Sequence, residues 1–339
     1  MKKPTLGVIG VDHRHIFGQL AGMLDLGCVC KGWWTEGEPE PVAGFSKRFP
    51  DIPRIADRSD LISDPEIDLI LLADIPVKRA ERAIEAMRAG KDVMTDKPGC
   101  TTAEQLASLR ECVAETGRIW SIDFSERFEV PAVTRAAELV QAGTIGSVVQ
   151  TVGLGPHRLN RQSRPDWFFK EDQYGGILCD IASHQIDQFL FFTGSDDAHI
   201  VTSSVGNFAN PADPGLQDYG EIMIRSASGQ GYIRVDWYTP DALPNWGDGR
   251  LTILGTEGYI ELRKYVDVAG RPGTDHLFLV NGEQCEYIDA SDSKLSYFEN
   301  LMHDVQNRTD TAMSQAHCFK VMELALQAQA QAVRLGNLV

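Results

Sequence analysis

Three short stretches of this 339-residue chain hold side chains whose types and spacing suit proton and charge chemistry. In residues 174–194, apolar Ile177, Ile181, Ile186, Phe189 and Leu190 recur at near-helical spacing, and Gly194 is a natural stop. Asp180 and His184, four residues apart, stack on one face of the predicted helix. A carboxylate there can orient the imidazole, fix its tautomer and raise its basicity, as a general base near neutral pH requires. The commoner use of such a pair is a satisfied His–Asp contact on a helix packed against a sheet. In the second stretch, Thr95-Asp96-Lys97-Pro98, a lysine directly follows an apolar strand; the alternative is a surface lysine in a turn. The third is the polar segment 155–173, which leads into the Asp180/His184 helix. There Trp167 suits stacking on a sugar ring, while His157, Asn160 and Arg164 offer donors to hydroxyls or a carboxylate. Against this stands a solvated loop with Trp167 and Phe168 anchored in the core. Arg158, Arg161 and Arg164 raise the option of an anionic substrate.

The elements that must position these residues alternate regularly through the first third. Strands are predicted at 5–10, 28–34, 67–73, 92–95 and 118–123, with helices following the first strand and at 41–49, 79–89 and 102–116. This is the pattern of a parallel sheet wound on both sides, an α/β Rossmann-type domain over residues 1–124. The loop after its first strand is where a pyrophosphate sits, at a helix start. Of the spacing G-x-G-x-x-G only Gly10 is present; Asp12 and His15 hold the other two places. A carboxylate of Asp12 facing phosphates would repel them, and His13, Arg14 and His15 would offset that charge. The end of the second strand, which normally presents an acid to the adenosine ribose, carries Thr35 and Glu36. Thr35 leaves room for a 2′-phosphate and Glu36 opposes one; with no arginine adjoining the strand end, NAD is favoured and NADP not excluded. From about residue 125 to 339 the pattern becomes a helix at 130–142, then successive strands with short Gly-containing turns, then two helices. That reads as an α+β domain with a large open, mainly antiparallel sheet.

The formal charge of −16 argues against nucleic-acid and anionic-membrane partners, and no apolar run is long enough to span a bilayer. Hydrophobic content of 43% and charged content of 24% belong to an ordinary globular protein. Seven scattered cysteines form no disulfide framework, so a cytoplasmic protein with reduced thiols is the expectation. The eight histidines are dispersed and no H-x-x-x-H or C-x-x-C pair occurs; no metal site is expected.

Gly90-Lys91-Asp92-Val93-Met94-Thr95-Asp96-Lys97-Pro98 resembles the A-G-K-H-V-x-x-E-K-P signature of the Gfo/Idh/MocA oxidoreductase family, which includes glucose–fructose oxidoreductase and inositol dehydrogenase. Phe124-Ser125-Glu126-Arg127-Phe128 is similar to the family segment leaving the last Rossmann strand. Gly143-Thr144-Ile145-Gly146-Ser147-Val148 is similar to its A-G-x-I-G-x-V junction, residues 174–187 to its G-G-G-x-L-x-D-x-G-x-H-x-x-D helix, and Gly255-Thr256-Glu257-Gly258 to its G-T-E-G turn. The resemblance spans nearly the whole chain in order. It implies a catalytic trio of Lys97, Asp180 and His184, with His184 the general base, and dinucleotide contacts from Gly10, Val11, Asp12, His13, Thr35, Glu36, Ala73, Asp74, Asp96 and Lys97. It implies substrate contacts from Lys97, His157, Asn160, Arg164, Trp167, Asp180 and His184. The implied activity is NAD(P)-dependent oxidation or reduction of a secondary hydroxyl of a sugar, inositol or related polyol, by a homodimer or homotetramer formed through the open sheet face. The same residues would serve a redox-assisted glycoside hydrolase or lyase with tightly bound NAD, and the family also contains non-catalytic dinucleotide-binding sensors. The departures from the pattern, Asp12, Thr35, Asp74 for the family's Thr, and Asp96 for its Glu, all fall on the nucleotide side.

Overall fold

Apolar strand runs bounded by helix caps build the first of two units in the computed structural model, which describes residues 3–336. In chain order its elements begin β1 (Thr5–Val11), α1 (Ile16–Asp25), β2 (Val29–Trp34), α2 (Val42–Arg48), α3 (Arg58–Ser63), β3 (Leu69–Ala73), α4 (Pro76–Arg88), β4 (Asp92–Asp96), α5 (Ala103–Thr116) and β5 (Trp120–Asp123). The five strands form one parallel sheet in the order β2-β1-β3-β4-β5. Every residue of β1, β3, β4 and β5 is buried, as expected of a parallel sheet covered on both faces. The helix ends follow local chemistry. Pro76 opens α4, the Thr102 hydroxyl accepts from the Gln105 amide to start α5, and Gly117 ends α5 in the left-handed region. Because the sheet turns back between β1 and β3, the loops after β1, β3 and β4 meet at its carboxyl edge.

The chain continues with α6 (Ser125–Phe128), α7 (Pro131–Gln141), β6 (Val148–Pro156), α8 (Glu171–Tyr174), α9 (Ile177–Asp180), α10 (Ala182–Thr193), β7 (His199–Gly206), β8 (Tyr219–Arg225), β9 (Gln230–Asp236), β10 (Arg250–Gly255), β11 (Gly258–Arg263), β12 (His276–Asn281), β13 (Cys285–Asp289), α11 (Tyr297–Asn307), α12 (Gln315–Gln331) and β14 (Val333–Leu335). Residues 163–175 and 296–322 cluster with the first unit; 124–162, 176–295 and the described residues from 323 onward make the second. In the first unit α11 packs on α1, where a side chain at Gly22 would collide with the Phe298 ring.

The second unit holds a nine-stranded sheet in the order β13-β12-β11-β10-β6-β9-β8-β7-β14. Most neighbours are antiparallel, as the short turns predict, but β6 pairs with β9, and β14 with β7, in parallel. One face is covered by α7 and α10: Val133, Ala136 and Phe192 pack with Ile145, Leu251, Ile253, Ile260 and Leu277. Gly153 and Gly155 let α10 approach β6, since an added Cβ at Gly153 would lie 2.8 Å from Gln185 Cγ. The other face leaves Met223, Leu254 and Tyr259 exposed. No helix among the described residues is long and apolar enough to cross a membrane.

One expectation changes here. Residues 177–193 are not a single helix: α9 ends at Asp180, Ile181 sits at φ −99°, ψ −48°, and α10 begins at Ala182. Gly175 and Gly176 both have φ near +87° and start the segment. The amides of Ile177 and Leu178 are then satisfied by the Gln217 and Gln329 side chains, at 2.8 and 3.1 Å. Residues 176–190 are all buried, so packing on every side, rather than one apolar stripe, sets the helix path.

Candidate functional site

In the first unit the loop after β1 is stitched to the neighbouring strand ends. Gly10 has φ +78°, and a Cβ there would lie 2.3 Å from the Asp74 backbone nitrogen, so only glycine fits this turn. The Val11 amide donates to Thr35 Oγ1 at 3.1 Å, and the Asp12 and His13 amides both donate to the Ala73 carbonyl, at 3.1 and 3.2 Å. Asp12 directs its carboxyl to the end of β2, where Thr35 Oγ1 lies 3.3 Å from Oδ2. Burial and the nearby Asp74 carboxylate push the Asp12 carboxyl up to about 7. Asp74 is itself engaged: Oδ1 accepts from the Ile75 amide at 2.7 Å and Oδ2 from Arg82 Nε at 3.3 Å. Glu36 is exposed and turns to α4, with Lys78 at 2.6 Å and Arg82 at 3.8 Å.

Asp96 closes β4 at the centre of a polar cluster. Its Oδ1 is 2.8 Å from His15 Nδ1, and its Oδ2 is 3.1 Å from His13 Nδ1 and 2.9 Å from Arg79 Nη2. Burial would raise this carboxyl, but Arg79, His15 and His13 together hold it well below the usual carboxylate range. Burial lowers the His13 imidazole to about 4 against the pull of Asp96, so it is neutral at physiological pH. Arg79 is fully buried and also donates to the carbonyls of Asp74 (2.7 Å), Asp96 (3.0 Å), Pro98 (3.1 Å) and Lys97. It thereby fixes the turn carrying Lys97, which is buried and joined to Pro98 by a cis peptide bond. His13, His15 and Asp96 also present ligand atoms within 4.8 Å of one another, a grouping that the H-x-H spacing could have signalled. Both Asp96 oxygens already have partners, and the adjoining guanidinium places positive charge where a cation would have to sit.

These residues fit a dinucleotide, with one change. The tight Gly10 turn and the small Thr35 leave the approach to the carboxyl edge that the fold requires. The change is that the Asp12 and His13 amides are spent on Ala73 and are not offered to a pyrophosphate, while Arg14, the exposed cation of this loop, is paired with Glu40.

In the second unit Asp180 closes α9 and His184 lies in the first turn of α10; both are buried. The Phe124 ring meets the His184 ring edge-on, with centroids 6.1 Å apart. Close by in the same unit is a network that sequence reasoning missed. Buried Glu126 accepts from Lys264 Nζ at 2.6 Å and from Gln185 Nε2 at 3.0 Å, and Lys264 also donates to Gln188 Oε1 at 2.9 Å. Burial would raise the Glu126 carboxyl, but Lys264, followed by His184 and His157, brings it to about 2. His157 is bracketed by Trp246 and Trp237, with centroids at 4.7 and 5.3 Å. Asn160 adopts φ +44°.

The 155–173 segment is divided between the units, with His157 and Asn160 in the second and Arg164 and Trp167 in the first. Its arginines are occupied. Arg158 donates to the carbonyls of Pro240 and Leu243, Arg161 forms a two-pronged pair with Asp213 at 2.7 Å, and Arg164 lies over the Phe168 ring. A cleft of about 910 Å³ in the second unit is lined by Tyr219, Arg234, Asp236, Tyr238 and Leu243 among others; none of Lys97, His157, Asn160, Arg164, Trp167, Asp180 and His184 lines it. Arg79 was also missed, although an arginine among Ala80, Ala83 and Ala86 on the buried face of α4 was a usable signal.

Known proteins resemble both parts of the chain. A model of an oxidoreductase family with an NAD-binding Rossmann fold matches residues 39–124, and a GFO/IDH/MocA C-terminal domain model matches residues 133–261. The scyllo-inositol 2-dehydrogenase (NAD(+)) of Bacillus subtilis is 26% identical over 264 residues, 76% of this chain and 72% of that protein. Levoglucosan dehydrogenase of Pseudarthrobacter phenanthrenivorans is 30% identical over 167 residues, 48% of this chain and 43% of that protein. Among solved structures, a protein of Erwinia carotovora atroseptica SCRI1043 described as an oxidoreductase superposes with a TM-score of 0.96 at 45% identity, covering 98% of this chain and 100% of that one. A levoglucosan dehydrogenase in complex with NADH and levoglucosan shares the fold, with a TM-score of 0.79 at 20% identity over 97% of this chain and 98% of that one.

Proposed function

We propose that this chain, which belongs to the Gfo/Idh/MocA oxidoreductase family, oxidises or reduces a secondary hydroxyl of a sugar, inositol or related polyol. Its family and homologues are NAD(P)-dependent dehydrogenases, and its first unit is an NAD-binding Rossmann domain. The placement of Lys97 supports the reading most directly. A buried lysine stands at the carboxyl edge of the parallel sheet, in a turn that a buried arginine holds by its carbonyls. A lysine kept only for solubility would not be buried in this way.

Oxidation of an alcohol removes a proton from oxygen as hydride leaves carbon. When bound, the nicotinamide supplies the hydride acceptor. His184 takes the hydroxyl proton, Asp180 holds the imidazole in the tautomer that can accept it, and the Lys97 ammonium stabilises the alkoxide as charge develops. Gly10, Val11, Asp12, His13, Thr35, Glu36, Ala73, Asp74 and Asp96 belong to the dinucleotide side. His157, Asn160, Arg164 and Trp167 belong to the substrate side. The exposed apolar residues on the open sheet face, Met223, Leu254 and Tyr259, support self-association there, which light scattering checks.

The test is reduction of NAD or NADP, followed by absorbance, across a panel of inositols, anhydrosugars and aldoses, with the keto product identified by mass. Dinucleotide binding without turnover on any polyol would discard the substrate class; no binding at all would discard the reading.

A further inference from the structure

We infer that Asp12 supplies the carboxylate that reads the adenosine ribose, and that this makes the chain select NAD over NADP. The inference rests on the dinucleotide reading above and goes beyond it to the subsite that chooses between the two cofactors.

In a parallel sheet of this kind the acid that accepts from the ribose hydroxyls stands at the end of the second strand. Here that place is Thr35, which is buried and whose hydroxyl already accepts from the Val11 amide. A hydroxyl so committed cannot offer two acceptor oxygens to a diol. The same hydroxyl lies 3.3 Å from Asp12 Oδ2. The missing carboxylate is therefore brought to the strand end from the loop after β1, at the position where a second glycine would otherwise stand. The loop backbone cannot readily swing it away, because the amides on both sides of that carboxyl are anchored, Val11 on Thr35 and His13 on Ala73.

Glu36, the other acid near this edge, is spoken for. It is exposed and paired with Lys78 at 2.6 Å and Arg82 at 3.8 Å, both on α4. These pairings also remove the cations that a 2′-phosphate would need. Lys78 faces Glu36, and Arg82 is shared between Glu36 and Asp74, at 3.3 Å from the latter. Around the ribose position stand three carboxyl groups, Asp12, Glu36 and Asp74, and each neighbouring cation is already engaged by an acid of the chain: Lys78 by Glu36, Arg82 by Glu36 and Asp74, and Arg79 by Asp96. A dianionic 2′-phosphate entering there would meet like charge, while a 2′,3′-diol would find an acceptor.

The groups facing Asp12 are Asp74 at the end of β3, Thr35 at the end of β2, and Lys78 and Arg79 on α4. The ionised form of Asp12 is the one that accepts hydrogen bonds from both hydroxyls, so affinity for the diol should rise with pH through neutrality in the wild type and not in Asp12→Asn.

The experiment is calorimetric titration of the full chain and of Asp12→Asn with NAD, NADP, ADP-ribose and 2′-deoxy-ADP-ribose. The expected result is wild-type binding of NAD at least tenfold tighter than NADP, and a tenfold penalty for loss of the 2′-hydroxyl. In Asp12→Asn both ratios should collapse toward one, chiefly through weaker NAD binding. If Asp12→Asn keeps the wild-type NAD-to-NADP ratio and the wild-type sensitivity to the 2′-hydroxyl, the inference is overturned while the dinucleotide reading stands. If Asp12→Asn binds NAD more tightly than the wild type, the carboxylate opposes the dinucleotide and the inference is again overturned. Failure of the wild type to bind any of the four ligands overturns the dinucleotide reading itself.

Discussion

Arg79 and Asp96 form an ion pair shut away from solvent, with Nη2 2.9 Å from Oδ2 and neither side chain exposed. A buried pair is not in itself a source of stability, because both ions lose their hydration. This one is offset by further hydrogen bonds: His13 and His15 approach the carboxylate, and the guanidinium spans backbone carbonyls from Asp74 to Pro98. The pair joins the end of β3 to the turn that carries Lys97.

Replacing Arg79 with Leu should therefore cost about 3–5 kcal/mol, since it leaves the Asp96 carboxylate buried without its cation. In a unit of this size that lowers the melting midpoint by about ten degrees or more. Calorimetry on the variant checks this, and a midpoint within a degree of the wild type would contradict the role assigned to Arg79. Pairing Arg79→Leu with Asp96→Leu should recover much of the loss.

Glu126 and Lys264 make a second such pair, with the Glu126 carboxyl brought down to about 2 from an unfolded value near 4.5. A depressed carboxyl contributes stability that is complete above 4.5 and is lost as pH falls from there toward 2. Glu126→Leu should cost about 3–5 kcal/mol at pH 7, and adding Lys264→Met should restore most of it. Urea unfolding of the two single variants and the double variant measures both effects. The double variant should also lose less stability than the wild type between pH 4.5 and pH 2. Strictly additive losses at pH 7 would show that the two side chains do not act as a pair.

Asp12 has the opposite sign. Its carboxyl rises from an unfolded 3.8 to about 7, so between these values the folded chain keeps a proton that the unfolded chain releases. Stability contributed by this group is intact below the lower value and declines as pH rises toward 7. Asp12→Asn removes the decline. Without dinucleotide it should melt a few degrees above the wild type at about pH 8 and close to it at about pH 4. An offset of the same size at both pH values would contradict this.

Lys97→Met and His184→Ala should each reduce turnover by about a thousandfold or more, the usual scale for loss of a proton-transfer or charge-stabilising group. The melting shift produced by saturating dinucleotide should persist in both. Retained turnover in either variant would remove that residue from the mechanism.

Much of the architecture was legible in the residues. The fully buried run Leu69-Ile70-Leu71-Leu72-Ala73 and the regular helix stops announced the parallel sheet. The alternating burial of β8, β9 and β10 announced the open one. The break at Ile181 was not legible, because no Gly or Pro marks it. It sits in a segment whose start is capped by Gln217 and Gln329, far away in sequence. The parallel pairing of β6 with β9 was equally hidden, since alternation tells which face a strand buries and not which neighbour it chooses.

By itself, then, the sequence determined the two sheets, the place of Lys97 behind β4, and the family signature around Asp180 and His184. These follow from periodicity and from motifs that are contiguous in the chain. Tertiary structure alone decided that Asp12 meets Thr35 at the end of β2, that His13, His15 and Arg79 converge on Asp96, and that Lys264 neutralises Glu126. His15 and Asp96 are separated by 81 positions and Glu126 and Lys264 by 138. Local propensity has no term for such partners. They are selected because a charge or polar group taken out of water must find a complement among whatever the packed elements bring within about 3 Å of it.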